Sequence, residues 1–197
     1  LTAELEVLSC TPHEGLFAVT LQSTIFHPQG GGQPFDTGWL GDSQVLRVTQ
    51  EADRVVHYVD QPVQPGPISA RVDAQRRALY TRLHSAGHLI GNAGESFGWM
   101  PIKAHHWPGE CKITFIRGEM AQAIDAEAIQ QQVNQWIAAD YPRHMTLEDG
   151  AREVGFGELP AYACGGTHVQ ALNELGQVTI LALSEKKGAL SVRYEIN

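Results

Sequence analysis

Residues 61–94 read QPVQPGPISARVDAQRRALYTRLHSAGHLIGNAG, and the pattern changes character inside that stretch. Its opening, QPVQPGP at 61–67, carries three prolines and no helical period, which marks a boundary between β and α content. Asp73, a residue type that caps helices, then precedes AQRRALYTRLHSAGHLIGNAG and predicts a helix there. Upstream, residues 1 to about 72 alternate over short runs, with Gly15 to Leu21, Val45 to Thr49 and Arg54 to Val59 as β candidates. Glycine and proline punctuate this half, as in HPQGGGQP at 27–34, so a small β barrel or sandwich is expected. Downstream, Asp125 can cap a second helix whose Ile129, Val133, Trp136 and Ile137 fall at i, i+4, i+7 and i+8, a single buried stripe. Strands are expected at Cys111 to Arg117, Val178 to Ser184 and Ala189 to Ile196, the last two joined by a turn over Lys186, Lys187 and Gly188. The expected class is therefore α+β. A small N-terminal β barrel over residues 1–72 precedes a two-layer α/β domain with an antiparallel sheet over residues 73–197.

Composition narrows the function classes. The 197 residues are 43% hydrophobic and 18% charged, ordinary values for a chain that buries a real core. No run of eighteen apolar residues exists, so no membrane span is expected. The chain opens on LTAELEVLSC, without an initiator Met or the basic-then-apolar layout of a secretory signal, and a cytoplasmic location with a trimmed start is expected. Cys10, Cys111 and Cys164 are an odd, irregularly spaced set, which argues against a disulfide framework and for a reducing compartment. Fourteen Lys and Arg against 22 Asp and Glu give a net charge of -8, a poor start for a nucleic-acid binder. Any RNA contact must use a local basic patch. One candidate spans Arg71 to Arg82, where Arg71, Arg76, Arg77 and Arg82 face only Asp73, although a solvated helix face reads the same way.

Two short motifs carry the chemistry. HSAGH places His84 and His88 four residues apart, on one helical face within reach of a single metal. Far downstream, CGGTH brackets two glycines and a threonine with Cys164 and His168, and the glycines allow a fold tight enough for both ends to point at one ion. Three nitrogens and one sulfur suit a tetrahedral zinc ion, one per chain, rather than magnesium or calcium. A zinc peptidase helix would carry Glu where Ser85 stands, which counts against proteolysis. Four protein ligands also resemble a closed structural site. The glycine run Gly30, Gly31 and Gly32 is followed by no Lys-Ser or Lys-Thr, so a P-loop and a nucleotide cofactor are excluded.

HSAGH and CGGTHV, preceded by TIFHPQGGGQPFDTG at 24–38, resemble the editing domain of alanyl-tRNA synthetases and the freestanding alanyl-tRNA editing proteins of the AlaX type. The resemblance covers nearly the whole chain and places it with the medium-length members, which have the β domain but lack the C-terminal domain of the longest ones. It implies an ATP-independent zinc hydrolase that deacylates mischarged tRNA(Ala), chiefly with serine and also with glycine, at the tRNA acceptor end. It implies His84, His88, Cys164 and His168 as metal ligands, and sets Thr24 and Gln33 beside the aminoacyl group. Gln33 is suited to orienting an ester carbonyl or a water, while Thr24 in a β context reads equally as a strand residue. Arg76 and Arg77 are the expected RNA contacts; His27, His105 and His106 have no assigned role, and nothing fixes an oligomeric state. Two rivals stay open: a noncatalytic tRNA-binding module stapled by structural zinc, and a metallohydrolase of another small ester or amide.

Overall fold

The computed structural model describes residues 1–148 and 150–197, which divide into two units. The first comprises Leu1–Gly30 and Pro34–Leu79, the second Gly31–Gln33 and Tyr80–Asn197.

In the first unit six strands form a closed barrel: β1 (Thr2–His13), β2 (Leu16–Leu21), β3 (Gly38–Leu40), β4 (Ser43–Glu51), β5 (Arg54–Val59) and β6 (Gly66–Val72). Their order around the barrel is β1-β2-β5-β4-β3-β6, every neighbour antiparallel, and the β1–β6 pairing from Thr2↔Arg71 to Val7↔Gly66 closes it. Closure leaves no open edge to pair with another chain. Alternate residues point inward, so Leu5, Val7, Val19, Leu40, Val45 and Val59 fill the interior. The prolines of 61–67 do not end the β region. They lead into β6, where Pro67 is only the second residue and costs the ladder little.

Helix α1 (Ala74–Ser96) opens where Asp73 Oδ1 accepts the backbone N–H groups of Gln75 and Arg76, both at 3.1 Å. In the second unit β7 (Trp99–His105) and β8 (Lys112–Arg117) precede α2 (Ala126–Ala138), whose cap Asp125 accepts from the Ala128 N–H at 2.8 Å. Next come β9 (Arg143–Glu148), β10 (Ala151–Phe156), β11 (Tyr162–Ala163), β12 (Val178–Lys186) and β13 (Ala189–Ile196). The last two join β8 and β7 in an antiparallel sheet of order β12-β13-β8-β7, while β11-β10-β9 form a smaller antiparallel sheet. Leu89 and Ile90 of α1, Ile129 and Val133 of α2, and Phe115 and Val192 of the larger sheet meet in one core. The α+β class and the barrel stand as expected. Among the described residues no helix is long and apolar enough to cross a membrane.

Inside the barrel unit His57 is wholly buried, and burial pulls its pKa down from 6.5 to about 4. Below pH 6.5 the unfolded chain takes up a proton that the folded chain refuses, so stability falls as pH drops from 6.5 toward 4, by about 3 kcal/mol for this group alone. Above pH 6.5 the contribution is flat. Denaturant midpoints at pH 7.5 and 4.5 should therefore diverge less in His57→Phe than in the parent; an equal acid loss in both would show that His57 titrates normally.

Candidate metal centre

The middle of α1 is where the helix is most buried, and His84 and His88 stand there one turn apart. Cys164 and His168 arrive on the loop that follows β11. The ligand atoms of these four residues all lie within 4.8 Å of one another. Cys164 Sγ sits 3.3 Å from His84 Nε2 and 3.2 Å from His168 Nε2. Zinc bonds of about 2.3 Å to sulfur and about 2.0–2.1 Å to nitrogen put tetrahedral S···N edges at roughly 3.5 Å. The donor set thus fits a zinc ion in chemistry and in spacing.

Three of the four donor residues, His84, His168 and Cys164, are braced from behind. Gln33 Oε1 accepts from His84 Nδ1 at 2.7 Å and from the Thr167 N–H at 2.9 Å, and its amide Nε2 donates to Thr167 Oγ1 at 2.9 Å. A proton held on Nδ1 leaves Nε2 of His84 with a lone pair for metal. Ser85 Oγ does the same for His168, accepting from Nδ1 at 3.0 Å and from the Val169 N–H at 3.2 Å. The small sheet fixes the loop: Arg152 of β10 donates to the carbonyls of Cys164 (2.7 Å) and Gly166, and Arg143 of β9 to that of His168 (2.9 Å).

Burial keeps two of the imidazoles neutral. Burial, with Arg152 nearby, pulls His88 down to about 4; burial, with His88 and Arg152, pulls His168 down to about 2. Both are therefore unprotonated at pH 7, as a metal donor must be. Burial raises the Cys164 thiol, an effect that a bound cation reverses by stabilising the thiolate. His84, His88 and Cys164 line a cavity of about 280 Å³, together with His106, Lys103 and Tyr162; His168 stands behind that wall.

No family model matches the chain. It is 30% identical to the mouse alanyl-tRNA editing protein Aarsd1, over 92% of this chain and 52% of the relative, and 31% identical to the rat protein over 87% and 47%. It is 29% identical to the alanine–tRNA ligase of Halobacterium salinarum, over 85% of this chain and 21% of the ligase. The chain is an AlaX-type homologue of the alanyl-tRNA editing proteins. It spans about half the length of the curated editing relatives it matches.

Within this AlaX-type chain the site residues named from sequence fall in different places. Gln33 belongs to the second unit and is wholly buried, its amide oxygen spent on His84 and Thr167 rather than turned to open space. Thr24 belongs to the barrel unit, where its Oγ1 lies 2.8 Å from His57 Nε2 and accepts the Phe26 N–H at 3.0 Å. Arg77 pairs with buried Asp36 and donates to the Ile25 carbonyl, so it ties down the glycine-loop flank, while Arg76 is solvent-exposed. Ser85, Thr167 and Arg152 brace the donors without having been singled out for it, because a lone hydroxyl or guanidinium has no spacing signature. The glycines of CGGTH act by close approach: a Cβ on Gly166 would run into the His84 ring, whereas one on Gly165 would meet nothing.

Two outcomes follow for metal content. Elemental analysis of protein purified without added metal should find about one zinc per chain, lost in Cys164→Ala combined with His168→Ala. Gly166→Ala should lower zinc retention by roughly 10-fold or more, because His84 must shift, while Gly165→Ala retains it. Equal retention in both glycine variants would mean that His84 is not held against this loop.

Proposed function

We propose that the chain hydrolyses the ester of mischarged tRNA(Ala) at the acceptor end, chiefly serine and also glycine, with one zinc ion held by His84, His88, Cys164 and His168. Supporting it most directly, three of the four donors line a small cavity while the fourth stands behind, so the set faces a space of terminal aminoacyl size. The relatives' names support an alanyl-tRNA editing role, the coarser part of this reading. A zinc ion there would supply Lewis-acid polarisation. In the reaction water adds to the ester carbonyl and the terminal ribose hydroxyl leaves, freeing the amino acid.

The chain's own residues supply order. Gln33 acts as a positioning residue that holds His84 in its Nε2 tautomer. Thr24, on the strength of the resemblance, is the residue that sorts serine from alanine. His57 Nδ1 lies 3.2 Å from the Val19 carbonyl and so carries the proton, which leaves Nε2 to accept from the Thr24 hydroxyl. With the Phe26 N–H also bound, Thr24 Oγ1 keeps one lone pair, an acceptor for a serine hydroxyl and for nothing on alanine. Arg76 remains the proposed RNA contact of α1; Arg77 contributes by tying down Ile25 and Asp36, on either side of the glycine run.

A closed four-donor set also suits zinc that only staples the second unit, and one assay separates the two readings. With serine-charged and alanine-charged tRNA(Ala), the parent should release serine faster. Thr24→Val should slow serine release by about 5- to 150-fold, the worth of a hydrogen bond of roughly 1 to 3 kcal/mol, and leave alanine release nearly unchanged. Equal release of both amino acids by the parent, or full discrimination in Thr24→Val, removes Thr24 from this role. Absence of any release from a zinc-loaded protein removes the editing reading and leaves the staple or a hydrolase of another small ester or amide.

A further inference from the structure

Resting on the reading that the substrate is a charged RNA, we propose that the outer face of the sheet β12-β13-β8-β7 holds the RNA phosphodiester backbone, and that Lys103 leads from it into the cavity.

The chain has only four lysines, Lys103, Lys112, Lys186 and Lys187, and all lie on this sheet or its β12–β13 turn. Register says which way they point. Ile113 and Phe115 on β8, and Leu190 and Val192 on β13, are core residues, so the residues alternating with them face outward. His105 lies opposite Lys112, and Lys112 opposite Arg193, which sets three basic side chains in a row across β7, β8 and β13. On the same face Lys103 lies opposite Thr114, Thr114 opposite Ser191, and Ser191 opposite Ser184, adding hydroxyl donors suited to phosphate oxygens. Lys103, Lys112 and Arg193 are exposed and make no ion pair among the described residues. The neighbouring acids are Glu110, which meets His105 at 3.2 Å, and Glu195 at the end of β13.

In a chain of net charge -8 such a face runs against the average field. Its concave part, about 470 Å³, is lined by Lys103, His105, Glu110, Lys112 and Arg193, and Lys103 also lines the cavity of the metal donors. β7 is the edge strand of the sheet, so the cavity opens beside the basic row. A polyanion whose reactive end must enter that cavity fits this continuity; an acidic peptide has no such end.

The test measures binding of uncharged tRNA by fluorescence anisotropy at rising salt. Lys112→Ala with Arg193→Ala should weaken binding roughly 10-fold and flatten the salt slope by roughly 1.5 to 2, the share of two phosphate contacts. Arg47→Ala with Arg54→Ala, an identical charge change on the barrel, should leave the slope unaltered. An unchanged slope in the sheet variant, equal losses in both variants, or displacement by polyglutamate as readily as by RNA would overturn the proposed surface. A parent protein that binds no tRNA would overturn the RNA reading itself, a different result from binding that ignores Lys112 and Arg193.

Discussion

Three imidazoles must lie beside a thiol inside the protein without taking up protons, and much of the second unit answers that requirement. Burial alone disfavours the imidazolium, as the low values of His88 and His168 show, but burial also demands a partner for every ring nitrogen that does not face the metal. Gln33 meets the demand at His84 and Ser85 at His168. Gln33 in turn is held by Thr167, whose hydroxyl lies 2.7 Å from that of Thr81, one helical turn before the first ligand. The two motifs are thus locked to each other through hydrogen bonds, not only through the metal they can share.

The sequence exposes features that repeat or pair. The i, i+4 histidines, the Cys-to-His bracket, the apolar stripe of α2 and the terminal strands all have a period or a cap, and each stands in the structure where its pattern placed it. The β9 and β10 strands do not read this way. RHMTLE is exposed from His144 to Leu147 and AREVGF buries only its second half, so no apolar alternation announces them, yet they carry Arg143 and Arg152, which fix the loop of Cys164 and His168. β6 hides behind three prolines and β7 is interrupted by a bulge between Pro101 and Lys103. Gln33 was legible as a special residue only through resemblance; its bond to a side chain 51 positions away has no local sign.

The arginine cluster shows why charge along a chain differs from charge on a surface. Arg71 stacks on the Trp39 ring at 4.1 Å, Arg77 serves Asp36, and Arg82 donates at 2.7 Å to the carbonyls of Leu175 and Asn197. Arg77 and Arg82 thereby spend donors within their own units and offer less to a phosphate, while Arg71 is laid against an aromatic face. The lysines, which sequence reading passes over because they are few and scattered, converge on one sheet face by strand register. Sparse charges are gathered by topology, and topology is what a linear charge count lacks.

Ser85 shows the same dependence of chemistry on neighbours. In a peptidase helix of identical histidine spacing, the residue after the first histidine is a glutamate that serves as base, and three protein ligands leave a place for water. Here that residue is a serine whose oxygen is filled by His168 Nδ1 and the Val169 N–H. The fourth donor and the missing glutamate therefore belong together: bringing His168 to the donors uses a small acceptor at Ser85, and a glutamate there would bury a carboxylate beside neutral imidazoles. A chain built this way gives up a side-chain base at that position and gains a rigid fourth donor, which under the proposed function suits an ester already activated toward hydrolysis, where holding the reacting groups in place supplies much of the rate.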